Sequence, residues 1–356
     1  MKKTGLFLSL VLATSTFLGA CGTTKETGEK DTAEKKENKF KVGMVTDTGG
    51  VDDKSFNQSA WEGMQRLGKE EGLEEGKGYK YLQSNSDSEY VPNLTTFAEG
   101  GYNLTYGIGF LLADHVGTVA KQYPNQQFAI VDSVVEGDNV TSITFKEHQG
   151  SFLVGVLAAL NTKTNKVGFI GGVKSDLISK FEVGFRAGVK SVNPKVEIIS
   201  QYADSFVDTA KGTSIASAMY GQKVDIIYHA AGNVGNGVFT EAKNRAKKGE
   251  KVWVIGVDRD QHNEGMPENV TLTSMVKRVD NAVFEVSKKA LDGTLKGGEI
   301  VEFGLEEKGV GIAPTTSNLQ EGQVDKVKEY EEKILSGEIK VPSSEKEYTE
   351  FEKTLK

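Results

Sequence analysis

The chain has 356 residues, 37% of them hydrophobic and 26% charged, with 41 glycines against 6 prolines and a formal net charge of −7. That length is too great for one ordinary core and suits two domains of about 150 residues plus a tail. An acidic body without a basic stripe argues against nucleic acid or anionic lipid as a partner, and four scattered histidines (His115, His148, His229, His262) give no zinc signature.

The N-terminus reads as an address rather than as part of the fold. Lys2 and Lys3 precede an apolar run, 6–18, that is too short to span a bilayer as a mature helix but right for a signal sequence. Leu18-Gly19-Ala20-Cys21 resembles the bacterial lipobox, which implies that Cys21, the only cysteine, is diacylated and becomes the mature N-terminus. Residues 1–20 are therefore assigned as a lipoprotein signal peptide and 21–39 as a lipidated flexible tether. The stretch 22–38 mixes Lys, Glu, Thr and Gly without apolar period, and as a coil it reaches on the order of 20–25 Å. Loss of two lysines and no acid with the signal makes the charge −9.

From Phe40 onward, short β-rich runs alternate with longer helical ones. Strands are predicted over 41–46, 80–83, 104–107, 127–131 and 140–144, with helices over 56–71, 90–99 and 114–123. The scheme then restarts. An apolar helix over 150–161 is followed by strands at 166–170, 197–202, 224–230, 251–257 and 271–275, and by helices over 176–192, 208–220, 234–247 and 280–291. The period of 324–335 is helical as well. This alternation predicts an α/β fold with mostly parallel sheets, in two similar domains joined by crossovers near Lys277 and Gly309.

Polar residues recur at one structural address. Asp47, Asp132, Gly232, Asp258 and Lys277 each follow a predicted parallel strand, on the side where such sheets bind ligands. At the first of these strand ends, Asp47 offers a bidentate acceptor, Phe56 a ring face and Asn57 a paired donor and acceptor, a set suited to a flat heterocycle carrying hydroxyls. The same stretch is similar to the aspartate-rich motif of nucleoside hydrolases through Asp47, Asp52 and Asp53. Val45 occupies the position of the first aspartate, and a Ca²⁺ cage needs 6–8 oxygens. No nucleophile elbow is present, and 232–237 (GNVGNG) lacks both Rossmann spacing and a Walker lysine. A nucleoside-cleaving enzyme and a sugar or autoinducer receptor stay open as alternatives to a nucleoside receptor.

The stretches 47–63 (DTGGVDDKSFNQSAWEG) and 252–261 (VWVIGVDRDQ), with Gly107-Ile108-Gly109-Phe110, 168–172 (GFIGG) and 228–239 (YHAAGNVGNGVF), resemble the basic membrane protein family, lipid-anchored substrate-binding proteins of ABC transporters, and within it the purine nucleoside receptors. The likeness spans Phe40 to about Pro342. It implies a type I periplasmic-binding-protein fold: two Rossmann-like lobes, 40–147 plus 278–306 and 148–277 plus 307–342, joined by hinge crossovers, with 343–356 as a tail. It further implies that Phe56 stacks one face of a base, that Asn57 contacts base or ribose, and that Asp47 and Asp132 are acids near the nucleoside. Asp258 and Lys277 would be polar contacts from the second half, Phe206 the ring over the other face, and Gly232 a point of close backbone approach. The glycine turn reads GNVG where relatives often show GGTG. No catalytic group, cofactor or metal is implied. The expected partners are a nucleoside, an ABC permease with its ATPase, and the membrane through Cys21, with the chain acting as an extracytoplasmic monomer.

Overall fold

The computed structural model describes residues 39–355. The assigned signal peptide, the lipidation site Cys21 and the tether up to Asn38 lie outside the described residues, as does Lys356. The strands are β1 (Val42–Thr46), β2 (Tyr79–Gln83), β3 (Leu104–Ile108), β4 (Gln127–Val131), β5 (Val140–Phe145), β6 (Lys166–Gly171), β7 (Glu197–Tyr202), β8 (Ile226–Ala230), β9 (Trp253–Asp258), β10 (Thr271–Lys277), β11 (Ile300–Phe303) and β12 (Val310–Ile312). The helices are α1 (Phe56–Glu71), α2 (Tyr90–Glu99), α3 (Ala113–Gln122), α4 (Glu147–Asn161), α5 (Asp176–Val192), α6 (Thr209–Gly221), α7 (Asn233–Lys247), α8 (Val279–Leu291), α9 (Gln323–Leu335) and α10 (Glu345–Glu352).

The strands form two six-stranded sheets, ordered β11-β5-β4-β3-β1-β2 and β12-β10-β9-β8-β6-β7. Every pairing is parallel except that of β12 with β10. The central strands β1, β3 and β8 are buried along their whole length, as a parallel sheet covered by helices on both faces requires. Helix α1 buries Ala60, Trp61, Met64 and Leu67 at helical spacing, and Trp61 lies against Tyr79 and Tyr81 with ring centroids 5.4 and 4.9 Å away.

Each lobe is built from discontinuous chain. The backbone leaves the first sheet after β5 through α4, which packs on α5, and returns after β10 through α8, which packs on α1. It then adds β11 to the first sheet and crosses again between Phe303 and Val310 to add β12 to the second. The segment after Leu319 packs on the second lobe, α9 against α4 and α10 against α5. Residues 343–355, set apart in the sequence as a tail, thus carry a helix whose Tyr348 is buried beneath the Arg186 guanidinium, 3.9 Å from the ring centroid. Burying such a ring contributes on the order of 2 kcal/mol, enough to hold a two-turn helix in place.

Candidate ligand-binding cleft between the lobes

The C-terminal edges of the two sheets oppose each other across a narrow cavity of about 60 Å³, at the strand ends where open α/β sheets bind ligands. All eight residues singled out in the sequence line it: Asp47, Phe56, Asn57, Asp132, Phe206, Gly232, Asp258 and Lys277. Strand ends explain the convergence. Asp47 follows β1, Asp132 follows β4, Gly232 lies between β8 and α7, and Asp258 and Lys277 end β9 and β10.

In the first lobe, the loop from β1 to α1 is ordered by its own acids. Asp53 accepts from the backbone N–H groups of Ser55, Asn57 and Gln58 at 2.9, 2.9 and 3.1 Å, which caps the N-terminus of α1. Asp47 Oδ1 accepts from Gly49 N–H at 2.8 Å and from the Asn57 amide at 2.9 Å. Because Asn57 Nδ2 also donates to Asp53 at 3.1 Å, its NH₂ is fixed between two carboxylates, and Asn57 Oδ1 is left buried without a protein donor. Burial raises the Asp47 pKa to about 6, with the Gly49 and Asn57 hydrogen bonds opposing and the Asp53 charge adding to the rise. With four donors on Asp53, and Asp52 exposed, the aspartates of this loop do not gather as a metal cage would need.

In the second lobe, Lys277 is 1% exposed. Its ammonium donates to Asp132 Oδ2 at 2.5 Å and stands 3.8 Å from Glu147 Oε1. It also lies 4.8, 5.1 and 5.4 Å from the ring centroids of Phe56, Phe145 and Phe181. Burial pushes the Lys277 pKa down, but Asp132, Glu147 and Asp258 together outweigh it and leave the net shift upward. Burial drives the acids the other way: Asp258 is raised to about 6 against the pull of Lys277 and of a hydrogen bond from the Ser55 hydroxyl, and Glu147 to about 7 against Lys277. Asp132 and Asp258 both sit at positive φ, 67° and 63°, a conformation that aspartate tolerates better than most residues and that clusters at functional sites.

Two rings and a turn complete the wall. The Phe206 ring packs against Gly172, where an added Cβ would have no room, and meets Phe110 of the first lobe edge-on, with ring centroids 6.1 Å apart. Gly232 has φ 55° and ψ −131°, backbone that glycine alone adopts readily, and a Cβ there would stand 3.0 Å from the Phe206 carbonyl oxygen. Gly232→Ala is expected to cost roughly 1–3 kcal/mol of stability, seen as a lower urea midpoint, and to displace Phe206. An unchanged midpoint would show that the turn relaxes without strain.

Sequence reasoning does not assign Phe110, Asn233 or Glu147 to this region. Phe110 directly follows a glycine-bearing strand end, so its position is a usable signal. Glu147 is wholly buried, yet a charged residue opening a helix reads in sequence as solvated. Among the described residues there is no cluster of three or more His, Cys, Asp or Glu able to hold a metal, and no helix long and apolar enough to cross a membrane.

Two mostly parallel sheets, opposed at their strand ends across a polar and aromatic cleft and joined by three crossovers, define a type I periplasmic-binding-protein fold. A solute-binding protein of an ABC transporter system from Aeropyrum pernix K1 superposes with a TM-score of 0.77 at 28% identity, covering 89% of this chain and 97% of that one. A Conexibacter woesei solute-binding protein, at 21% identity and TM-score 0.67, shares the fold. The family model Bmp, described as ABC transporter substrate-binding protein PnrA-like, matches residues 40–345, and the chain belongs to that family. It is 52% identical to a CD4+ T-cell-stimulating antigen of Listeria monocytogenes over 96% of this chain and 99% of that protein. It is 45% identical to the ABC transporter nucleoside-binding protein BmpA of Lactococcus lactis over 96% and 100%, and 34% identical to basic membrane protein A of Borreliella burgdorferi over 87% and 90%. Substrate-binding proteins of ABC transporters carry a ligand to a permease and ATPase, and this family is extracytoplasmic and membrane-associated.

Proposed function

We propose that the chain captures a nucleoside, purines favoured, between its two lobes and delivers it to an ABC permease for import while held at the membrane by a lipid on Cys21. The observation that carries this reading is the composition of one cleft: the rings of Phe56 and Phe206 together with buried Asp47, Asp132 and Asp258. Rings accept a flat base, and buried carboxylates accept from ribose hydroxyls and base N–H groups. The bare acceptors Asn57 Oδ1 and Asp132 Oδ1 suit a donor-rich ligand in the same way. The nucleoside-binding name of the Lactococcus lactis relative supports the same ligand class. Stacking supplies roughly 1–3 kcal/mol per base, and hydrogen bonds to charged groups roughly 1.5–3 kcal/mol each. Together they reach the approximately −8 to −10 kcal/mol of a submicromolar complex after association costs.

Calorimetry with guanosine, adenosine, inosine, uridine, free bases and ribose tests the proposal; absence of heat with every nucleoside would refute it, and preference for ribose alone would favour a sugar receptor. Proton linkage gives a second check. With Asp47 and Asp258 raised to about 6, the free protein takes up protons below that pH that a hydroxyl-donating ligand must expel. Guanosine affinity is therefore expected to be level from pH 7 to 8 and to weaken below pH 6 by up to about tenfold per pH unit for each acid involved. A profile level down to pH 5 would remove both acids from contact with the ligand.

A further inference from the structure

The motif 252–261 gives Asp258 to the cleft wall, but Arg259 and Gln261 belong to something else. Arg259 donates through Nε and Nη2 to both carboxylate oxygens of Glu62 on α1, at 3.1 and 2.6 Å. Gln261 is 1% exposed, and its Oε1 accepts from Val257 N–H at 2.9 Å with His229 Nε2 at 3.1 Å. That orientation fixes the amide, so its Nε2 donates across the cleft to the Lys54 carbonyl at 2.9 Å. From α7, Asn233 Nδ2 donates to the Gly49 carbonyl at 3.0 Å and Asn236 Nδ2 to the Asp53 carbonyl at 3.3 Å. The donors Asn233, Asn236, Arg259 and the Gln261 Nε2 all come from the second lobe and all land on 49–62, the stretch that also presents Phe56 and Asn57.

The geometry points to a clasp: Asn233, Asn236, Arg259 and Gln261 stabilise the closed form by gripping 49–62 directly, so that the lobes close without a ligand and Arg259 and Gln261 prolong ligand residence without touching it. Most of the acceptors are backbone carbonyls of the first lobe, whose availability does not depend on occupancy of the cleft. A ligand shifts closure only by its differential affinity for the two forms, whereas hydrogen bonds that break on opening favour the closed form whether or not the cleft is filled. Arg259 and Gln261 are thus positioning residues. The inference rests on the nucleoside reading only for the identity of the ligand.

The decisive measurement is hydrogen–deuterium exchange of the ligand-free full chain, following amides in 49–57 and 233–237, for wild type, Asn236→Ala, Arg259→Glu and the exchanged pair Glu62→Arg/Arg259→Glu. Faster exchange on both faces in the two single variants, returned to the wild-type rate by the exchanged pair, is expected. Equal rates in all four proteins would overturn the clasp, as would failure of the exchanged pair to restore protection. Stopped-flow dissociation of guanosine should be roughly two- to fivefold faster in Arg259→Glu, the scale of a partly exposed ion pair, and an unchanged rate would confine the ion pair's effect to the empty protein and overturn its role in residence. If guanosine does not bind at all, the nucleoside reading fails while the exchange data still decide the clasp.

Discussion

Replacing Lys277 with methionine is expected to lower the stability of the ligand-free protein by roughly 3–5 kcal/mol at pH 8, the scale found when one partner is removed from a buried ion pair. The lysine lies within reach of Asp132 and Glu147 in a region where neither acid is open to water, and its charge also pulls on Asp258. Methionine keeps the stem packed against Phe56, Phe145 and Phe181 but leaves the carboxylates facing one another. The sign of the pH dependence follows from the direction of their shifts. Asp258, raised to about 6, and Glu147, raised to about 7, are acids whose folded form prefers the proton, so the stability they allow is present below their unfolded values and is lost as pH rises through 6 to 7. Without Lys277 that loss deepens. The variant should therefore approach wild type near pH 5 and fall well below it at pH 8. Urea unfolding at the two pH values reads this directly, and a deficit that is the same at both would show that packing rather than charge is what Lys277 supplies.

Phe56→Ala is expected to weaken guanosine binding by roughly 10–100-fold, from the loss of about 1–3 kcal/mol of base stacking, while changing affinity for ribose far less. The ring sits at the first position of α1, at the cleft wall, with its backbone outside the set of amides that Asp53 caps, so the loop geometry should survive the substitution. Calorimetry with both ligands separates the outcomes. Equal losses for nucleoside and sugar would mean that the loop had collapsed, and no loss for either would place the base elsewhere in the cleft.

Much of this architecture is readable because parallel strands are short apolar runs and their ends carry the chemistry. The predicted strand at 127–131 coincides with β4, the helix at 56–71 with α1, and the five strand-end residues meet at one cavity. Boundaries slip where charge hides burial. The helix predicted from Gly150 begins at Glu147, because a glutamate held by Lys180 and Lys277 looks like a loop residue in sequence. Strands β11 and β12 escape a reading by pattern altogether, since four and three residues carry no usable period. The cross-cleft amides of Asn233, Asn236 and Gln261 are equally hidden: their partners are carbonyls some 180 to 210 positions away, which no local pattern encodes.

The repeated crossing of the chain between lobes also constrains how the molecule is made. The outer edge of β5 is covered by β11 and that of β10 by β12, so until these last strands are synthesised the sheets end there on strands of six and seven residues rather than on short ones of four and three, which are poorer templates. At about 5–20 residues per second, the interval from Phe145 to Ile300 lasts roughly 8–30 s. A nascent chain in that interval holds five strands of its first sheet, with β5 as an available template for any passing strand. Completion is thus deferred to the final sixth of translation, and a break in synthesis just before Ile300 releases two five-stranded sheets, each lacking its last strand, with β5 and β10 as adhesive edges.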